Sequence, residues 1–164
     1  SATLASTLTA NLENHYLSGK FAPQIPINLK SMPEKEYTLI LNSSRESVNM
    51  LESFLDEVIT EEFEPLYGNI YMAVSETLSN AIIHGNKEDA TKRVLLSCIA
   101  SDQQLRFTIQ DEGKGFDHEH YNDPTVPDNT LKSSGRGIFI TRCFCDEVAY
   151  EKNGATAILT FSRK

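Results

Sequence analysis

Residues Ser75–Asn86, SETLSNAIIHGN, constrain the fold more tightly than any other stretch of the chain. They close a segment from about Pro65 to His84 in which Ile70, Ala73, Val74, Thr77, Leu78, Ala81 and Ile82 recur at i, i+3, i+4, i+7 spacing, which predicts a helix with one face in a core. Gly85 then supplies a stop. At about 100° per residue, Glu76, Asn80 and His84 fall on one stripe. That stripe borders the apolar face, while Ser75, Ser79 and Ile83 hold the opposite side. An ionised carboxylate at the edge of a core is costly unless a cation or donor meets it. Two readings follow from the helix alone: a Glu and an Asn bonded to nearby backbone, or a base or metal ligand facing a polar cavity.

A second candidate is DEGKGF. Side chains alternate along a strand, so in LRFTIQD the residues Leu105, Phe107, Ile109 and Asp111 share one face. Asp111 therefore points where the core residues point. Followed by Gly113 and Gly115, it suits the floor of a pocket that accepts from a ligand's donors while backbone passes close by; an ordinary tight turn is the alternative. The third candidate is KSSGRGIFITR, a Gly-x-Gly at a helix start. Unpaired N–H groups and the helix dipole there favour an anion, phosphate included, and Lys132 and Arg136 add charge. The alternative is a plain N-cap by Ser133 or Ser134.

The rest of the chain supplies the frame. EYTLILN (Glu36–Asn42) predicts a strand, and SSRESVNMLESFLDEVITEEF an amphipathic helix with a capping signal at Ser43/Glu46 or Ser44/Ser47. Val94–Ala100 and Leu105–Gln110 predict a hairpin. Two further β-rich runs flank Asn153-Gly154, a strong short hairpin signal. The stretch from Asp117 to Ser134 is polar and aperiodic, a long loop suited to a lid. The predicted order is β α α β β (loop) α β β. This is an α+β fold, a two-layer α/β sandwich whose mostly antiparallel mixed sheet is covered on one face by helices. At 164 residues one domain is expected. It should span residues 35–164, preceded by an arm over residues 1–34 that Pro23, Pro26 and Pro33 break into short pieces.

Charge and hydropathy narrow the function classes. A net charge of −8 without a Lys/Arg-rich run argues against direct nucleic-acid binding. No apolar run approaches the roughly 18 residues of a membrane span, and the start lacks the order of a signal peptide, so a cytoplasmic protein is expected. Cys98, Cys143 and Cys145 lack C-x-x-C spacing and read as reduced, mostly core cysteines.

Taken in order, ETLSNAIIHGN, DEGKGF and GRGIFI resemble the N-box and the two glycine boxes of the GHKL (Bergerat-fold) ATP-binding superfamily. The form S-E-x-x-x-N-A-I-I-H-G is most similar to the anti-sigma-factor serine kinases of the RsbW/SpoIIAB type, and the likeness runs from about Tyr37 to Phe161. It implies ATP and Mg²⁺ as cofactors. It makes Glu76 the catalytic residue that positions or deprotonates an attacking hydroxyl, Asn80 the holder of the metal that bridges the phosphates, and Asp111 the acceptor of the adenine amino group. Gly113 and Gly115 would let backbone approach the nucleotide, and Lys132, Gly135, Arg136 and Gly137 would meet its phosphates as the lid closes. His84 would be structural or support its neighbours. The implied partner is a STAS-type anti-sigma-factor antagonist as phosphoacceptor, with a sigma factor as a second; the arm could serve docking or a homodimer. Two departures stand out: the arm is longer than the family's usual start, and Ala155 replaces the threonine that usually helps hold the adenine end. The latter keeps a second class in view, a nucleotide-responsive binding switch without useful turnover. A histidine-kinase ATPase domain fits less well, because no phosphoacceptor helical domain precedes the core and the N-box carries His84-Gly85.

Overall fold

Strand β1 (Lys35–Asn42) begins a five-stranded sheet of order β1-β2-β3-β5-β4, completed by β2 (Arg93–Ala100), β3 (Gln104–Gln110), β4 (Glu147–Glu151) and β5 (Thr156–Ser162). The structure is a computed structural model that describes residues 33–115 and 136–163, all within one compact unit, Ser31–Lys164. The arm expected over residues 1–34 falls almost wholly outside them, and the loop expected from Asp117 to Ser134 lies wholly outside them. All four strand pairings are antiparallel. Both predicted hairpins form, the second through a turn in which Lys152, Asn153 and Gly154 take positive φ. Asn and Gly tolerate that region, which is why the dipeptide reads as a turn.

Helices α1 (Met50–Val58), α2 (Tyr67–Asn80) and α3 (Arg136–Phe144) complete the described elements. The inward residues of α1 and α2, among them Leu51, Leu55, Ile70, Val74 and Leu78, bury completely with Leu41, Leu96, Phe107 and Leu159 of the sheet. Phe107 and Phe161 meet edge to face at 5.9 Å between centroids, an arrangement that adds to simple burial. The other sheet face carries more exposed apolar side chains, Ile40, Leu95 and Ile99. Every residue predicted for the inner face of the long helix, Ile70 through Ile82, is buried.

One local expectation is corrected and one is refined. The helix after β1 starts as a 3-10 turn, Arg45–Asn49, whose N-cap Ser44 makes no side-chain cap bond. The serines have other partners: Ser44 Oγ lies 3.1 Å from Ser47 Oγ, and Ser43 Oγ accepts from Asn86. The long helical stretch ends at Gly85 as expected, without positive φ there; that conformation falls on Lys87 and Glu88. Beyond Asn80, α2 widens into a π-helical turn, Ala81–Gly85, closed by the Asn86 N–H on the Ala81 carbonyl at 2.8 Å.

Candidate functional site

Asp111 follows the last residue of β3, and the alternation of the strand turns it inward with Leu105, Phe107 and Ile109. It is 9% exposed. Its backbone N–H donates to the Ala155 carbonyl at 3.0 Å, and its Oδ1 accepts the Gly113 N–H at 2.7 Å. Burial pushes the carboxyl above its ordinary range, while the Gly113 N–H and the positive charge of Lys92 pull the other way.

Three glycines let separate segments close on this carboxylate and its neighbours. A β-carbon on Gly85 would stand 2.6 Å from Asp111 Oδ1, and one on Gly113 would stand 2.7 Å from the same oxygen and 2.6 Å from the Gly85 carbonyl carbon. Backbone closes the Gly113 position to a side chain, while at Gly85 an added carbon would have to displace the Asp111 carboxylate. Gly115 has φ +78°, and its β-carbon would meet the Asn153 carbonyl. The DEGKG turn is thus held between the end of the long helix and the β4–β5 turn.

The second cluster lies one turn back along α2. Glu76 and Asn80 are half-buried. A β-carbon on Gly137, in the first turn of α3, would fall against Glu76 Oε1 and 2.8 Å from Asn80 Nδ2. Two threonines secure this contact between helices: Thr141 Oγ1 donates to the Gly137 carbonyl at 2.9 Å, and lies 3.4 Å from Thr77 Oγ1. Pi-helical turns recur at functional sites, and here one separates Asn80 from Gly85, so a single helix serves both clusters.

Of the residues singled out in the sequence, Glu76 and Asn80 are brought to Gly137, and Asp111 to Gly113, with Gly85 beside them. Gly115 sits one step away, against Asn153. Arg136 opens α3. Lys132 and Gly135 lie outside the described residues. His84 is exposed. Of the cysteines, Cys98 is buried and Cys145 partly so, but Cys143 is exposed, against the expectation of mostly core positions. The hydroxyl expected at Ala155 is not recovered next door. Thr156 pairs with Gln110 whereas Ala157 pairs with Ile109, so Thr156 belongs to the sheet face turned away from Asp111. Its Oγ1 is buried without a partner among the described residues.

Sequence reasoning missed Asn86. It is wholly buried, with Nδ2 donating to Ser43 Oγ at 2.7 Å and to the Arg93 carbonyl at 2.8 Å, and Oδ1 accepting the Glu112 N–H at 2.8 Å. The only local signal is a polar residue next to the final glycine of a helix, which reads equally well as a cap.

The fold is that of an ATPase domain. The chain belongs to the histidine kinase-like ATPase domain family, whose model matches residues 41–162. Its relatives include an anti-sigma F factor of Clostridium perfringens (strain SM101), 33% identical over 120 residues that cover 71% of this chain and 82% of the relative. The anti-sigma F factor of Bacillus subtilis (strain 168) is 38% identical over 98 residues, covering 56% and 66%. A crystal structure of RsbU and RsbW domains from Mycobacterium tuberculosis matches with a TM-score of 0.50 at 18% identity, over 79% of this chain and 33% of the other. That likeness concerns the fold. Among the described residues no helix is long and apolar enough to cross a membrane.

Proposed function

We propose that this protein is an ATP- and Mg²⁺-dependent protein serine/threonine kinase that phosphorylates a STAS-type anti-sigma-factor antagonist and also binds a sigma factor. The observation that carries the reading is the approach of Gly137 to Glu76 and Asn80, which joins two sequence motifs at one point beside a helix N-terminus. The names of the relatives support the sigma-factor half.

The residues fit a magnesium nucleotide. A carboxylate and a carboxamide supply the hard oxygen donors that Mg²⁺ prefers, and the first turn of α3 offers N–H groups to phosphate. Bound Mg-ATP would supply the phosphoryl group and the metal charge that steadies it. Asn80 would hold the metal through its amide oxygen. Glu76 would accept the proton of the partner's hydroxyl, while Asp111 would accept from the adenine amino group. Lys132, Gly135, Arg136 and Gly137 would gather at the phosphates.

Ala155 favours a second reading, a nucleotide-responsive switch that binds partners without turning over, because it removes a hydroxyl from the adenine end. One experiment tests the first reading. At a ligand concentration 100 times its dissociation constant, linkage gives about 2.7 kcal/mol, a rise of about 2–4 °C in Tm for a domain of this size. We expect this shift with millimolar Mg-ATP, and phosphoserine on a STAS protein incubated with both. An unchanged melting curve would remove nucleotide binding, and with it the kinase.

A further inference from the structure

Asn86 uses both amide hydrogens and its oxygen in bonds to Ser43, Arg93 and Glu112, so it ties the end of the long helix to the residue that follows Asp111. The Asp111 N–H is bound to the Ala155 carbonyl. The chain at Asp111–Glu112 is therefore pinned by hydrogen bonds at two successive N–H groups. Gly85, the neighbour of Asn86, completes the arrangement from the other side. Its missing side chain leaves the space in which the carboxylate lies, since a β-carbon there would be 2.5 Å from Oδ2 and 2.6 Å from Oδ1. With Gly113 on Oδ1, the carboxylate has little freedom to turn.

We propose that Gly85 and Asn86 are positioning residues that aim the Asp111 carboxylate, and that they set how well the protein separates a purine carrying an exocyclic amino group from one carrying a carbonyl there. This rests on the nucleotide reading above. A carboxylate accepts from an amino donor and repels a carbonyl oxygen, and the contrast depends on direction because hydrogen bonds weaken steeply with angle. Neither positioning residue touches the base in this account. Their effect should appear in selectivity and leave phosphate and metal contacts alone.

The test compares Mg-ATP with Mg-inosine triphosphate, which replaces the amino group by a carbonyl, on the full chain by titration calorimetry. The variants are Gly85→Ala, which intrudes on the carboxylate, and Asn86→Asp, which keeps the shape and the Glu112 acceptor but sets an oxygen against the Arg93 carbonyl. Asn86→Asp decides the matter if Gly85→Ala fails to fold. Wild type is expected to prefer ATP. Each variant should lose about tenfold in ATP affinity, roughly the worth of one hydrogen bond to a charged group, with inosine triphosphate affinity changed by less than about threefold. Equal losses for both nucleotides, or unaltered selectivity, would overturn the inference and leave ATP use standing. Wild type binding both nucleotides alike would also overturn it. Wild type binding neither would remove the nucleotide reading and this inference together.

Discussion

Gly137 of α3 lies so close to Glu76 of α2 that a β-carbon at position 137 would stand 3.0 Å from the Glu76 carboxyl carbon. A carboxylate and an amide from α2 share this contact with backbone from a segment about 60 residues further along the chain. The packing holds without any side chain from the glycine, and Thr141, one turn on, binds the Gly137 carbonyl.

Gly137→Ala tests whether that space is needed. Within a helix the change ordinarily gains about 0.5–1 kcal/mol, because glycine loses more backbone freedom. Here the added methyl must displace Glu76 or Asn80, or tilt α3. We expect a lower Tm in place of a higher one, and a smaller Mg-ATP shift. A variant as stable as wild type with an undiminished shift would show that the helices do not need to approach so closely.

Asp111→Asn should separate stability from binding. Burial raises the folded carboxyl above 3.8. The folded state then holds more protons than the unfolded one in the window above that value, so stability falls as pH rises through it and stays lower at neutral pH. An amide removes this penalty and keeps an oxygen for the Gly113 N–H. We expect a higher Tm than wild type without nucleotide at neutral pH, a gain that shrinks as pH falls through the window, and a weaker ATP shift. Thermal scans between about pH 4 and about pH 8, with and without Mg-ATP, check both halves. A less stable variant at neutral pH would mean that the carboxylate is held by a positive group stronger than Lys92.

Periodicity carried most of what was legible in the sequence. The buried face of α2, the two hairpins and the inward phase of Asp111 all follow from repeats of 3.6 or 2, which local sequence records. What was not legible depends on contacts between distant segments. Gly85 reads as a helix stop, and the helical stretch does end there, but the space it leaves beside Asp111 is a second use that local sequence does not record. Ser43 reads as a cap, but its hydroxyl accepts from Asn86, and the helix begins as a 3-10 turn with Ser44 at its N-cap. Asn86 itself bonds to residues on three other segments, and no spacing rule links them. The glycine-box residues Lys132 and Gly135 fall outside the described residues, which resume at Arg136.

The three cysteines should differ sharply in reactivity. Burial pushes the Cys98 thiol up to about 12. The Cys145 thiol is likewise pushed up to about 12, by burial first and then by the charge of Asp146. Cys143 is exposed. Since the thiolate is the nucleophile, an aromatic disulfide reagent near pH 8 should consume about one thiol quickly and the other two only on unfolding. A fast phase of two thiols would show that the turn after α3 opens readily at Cys145.

The choice between kinase and switch comes down to Glu76 and Asn80, which share one stripe of α2 and one contact with Gly137. Glu76→Gln keeps the shape and the neighbours but cannot take a proton. If Glu76 is the base, the variant should bind Mg-ATP nearly as well as wild type and transfer phosphate about 10²–10⁴ times more slowly, the usual worth of a positioned base. If Asn80 holds the metal, Asn80→Ala should lose magnesium-dependent binding and turnover together, because that metal would keep the phosphates in line for attack. The assay uses labelled ATP, a candidate STAS partner and a phosphoserine readout, with nucleotide binding followed in parallel. Wild type that binds both ATP and partner yet transfers no phosphate would decide for the switch. Glu76 would then be a wall of the pocket, and Ala155 the first position at which to restore a hydroxyl.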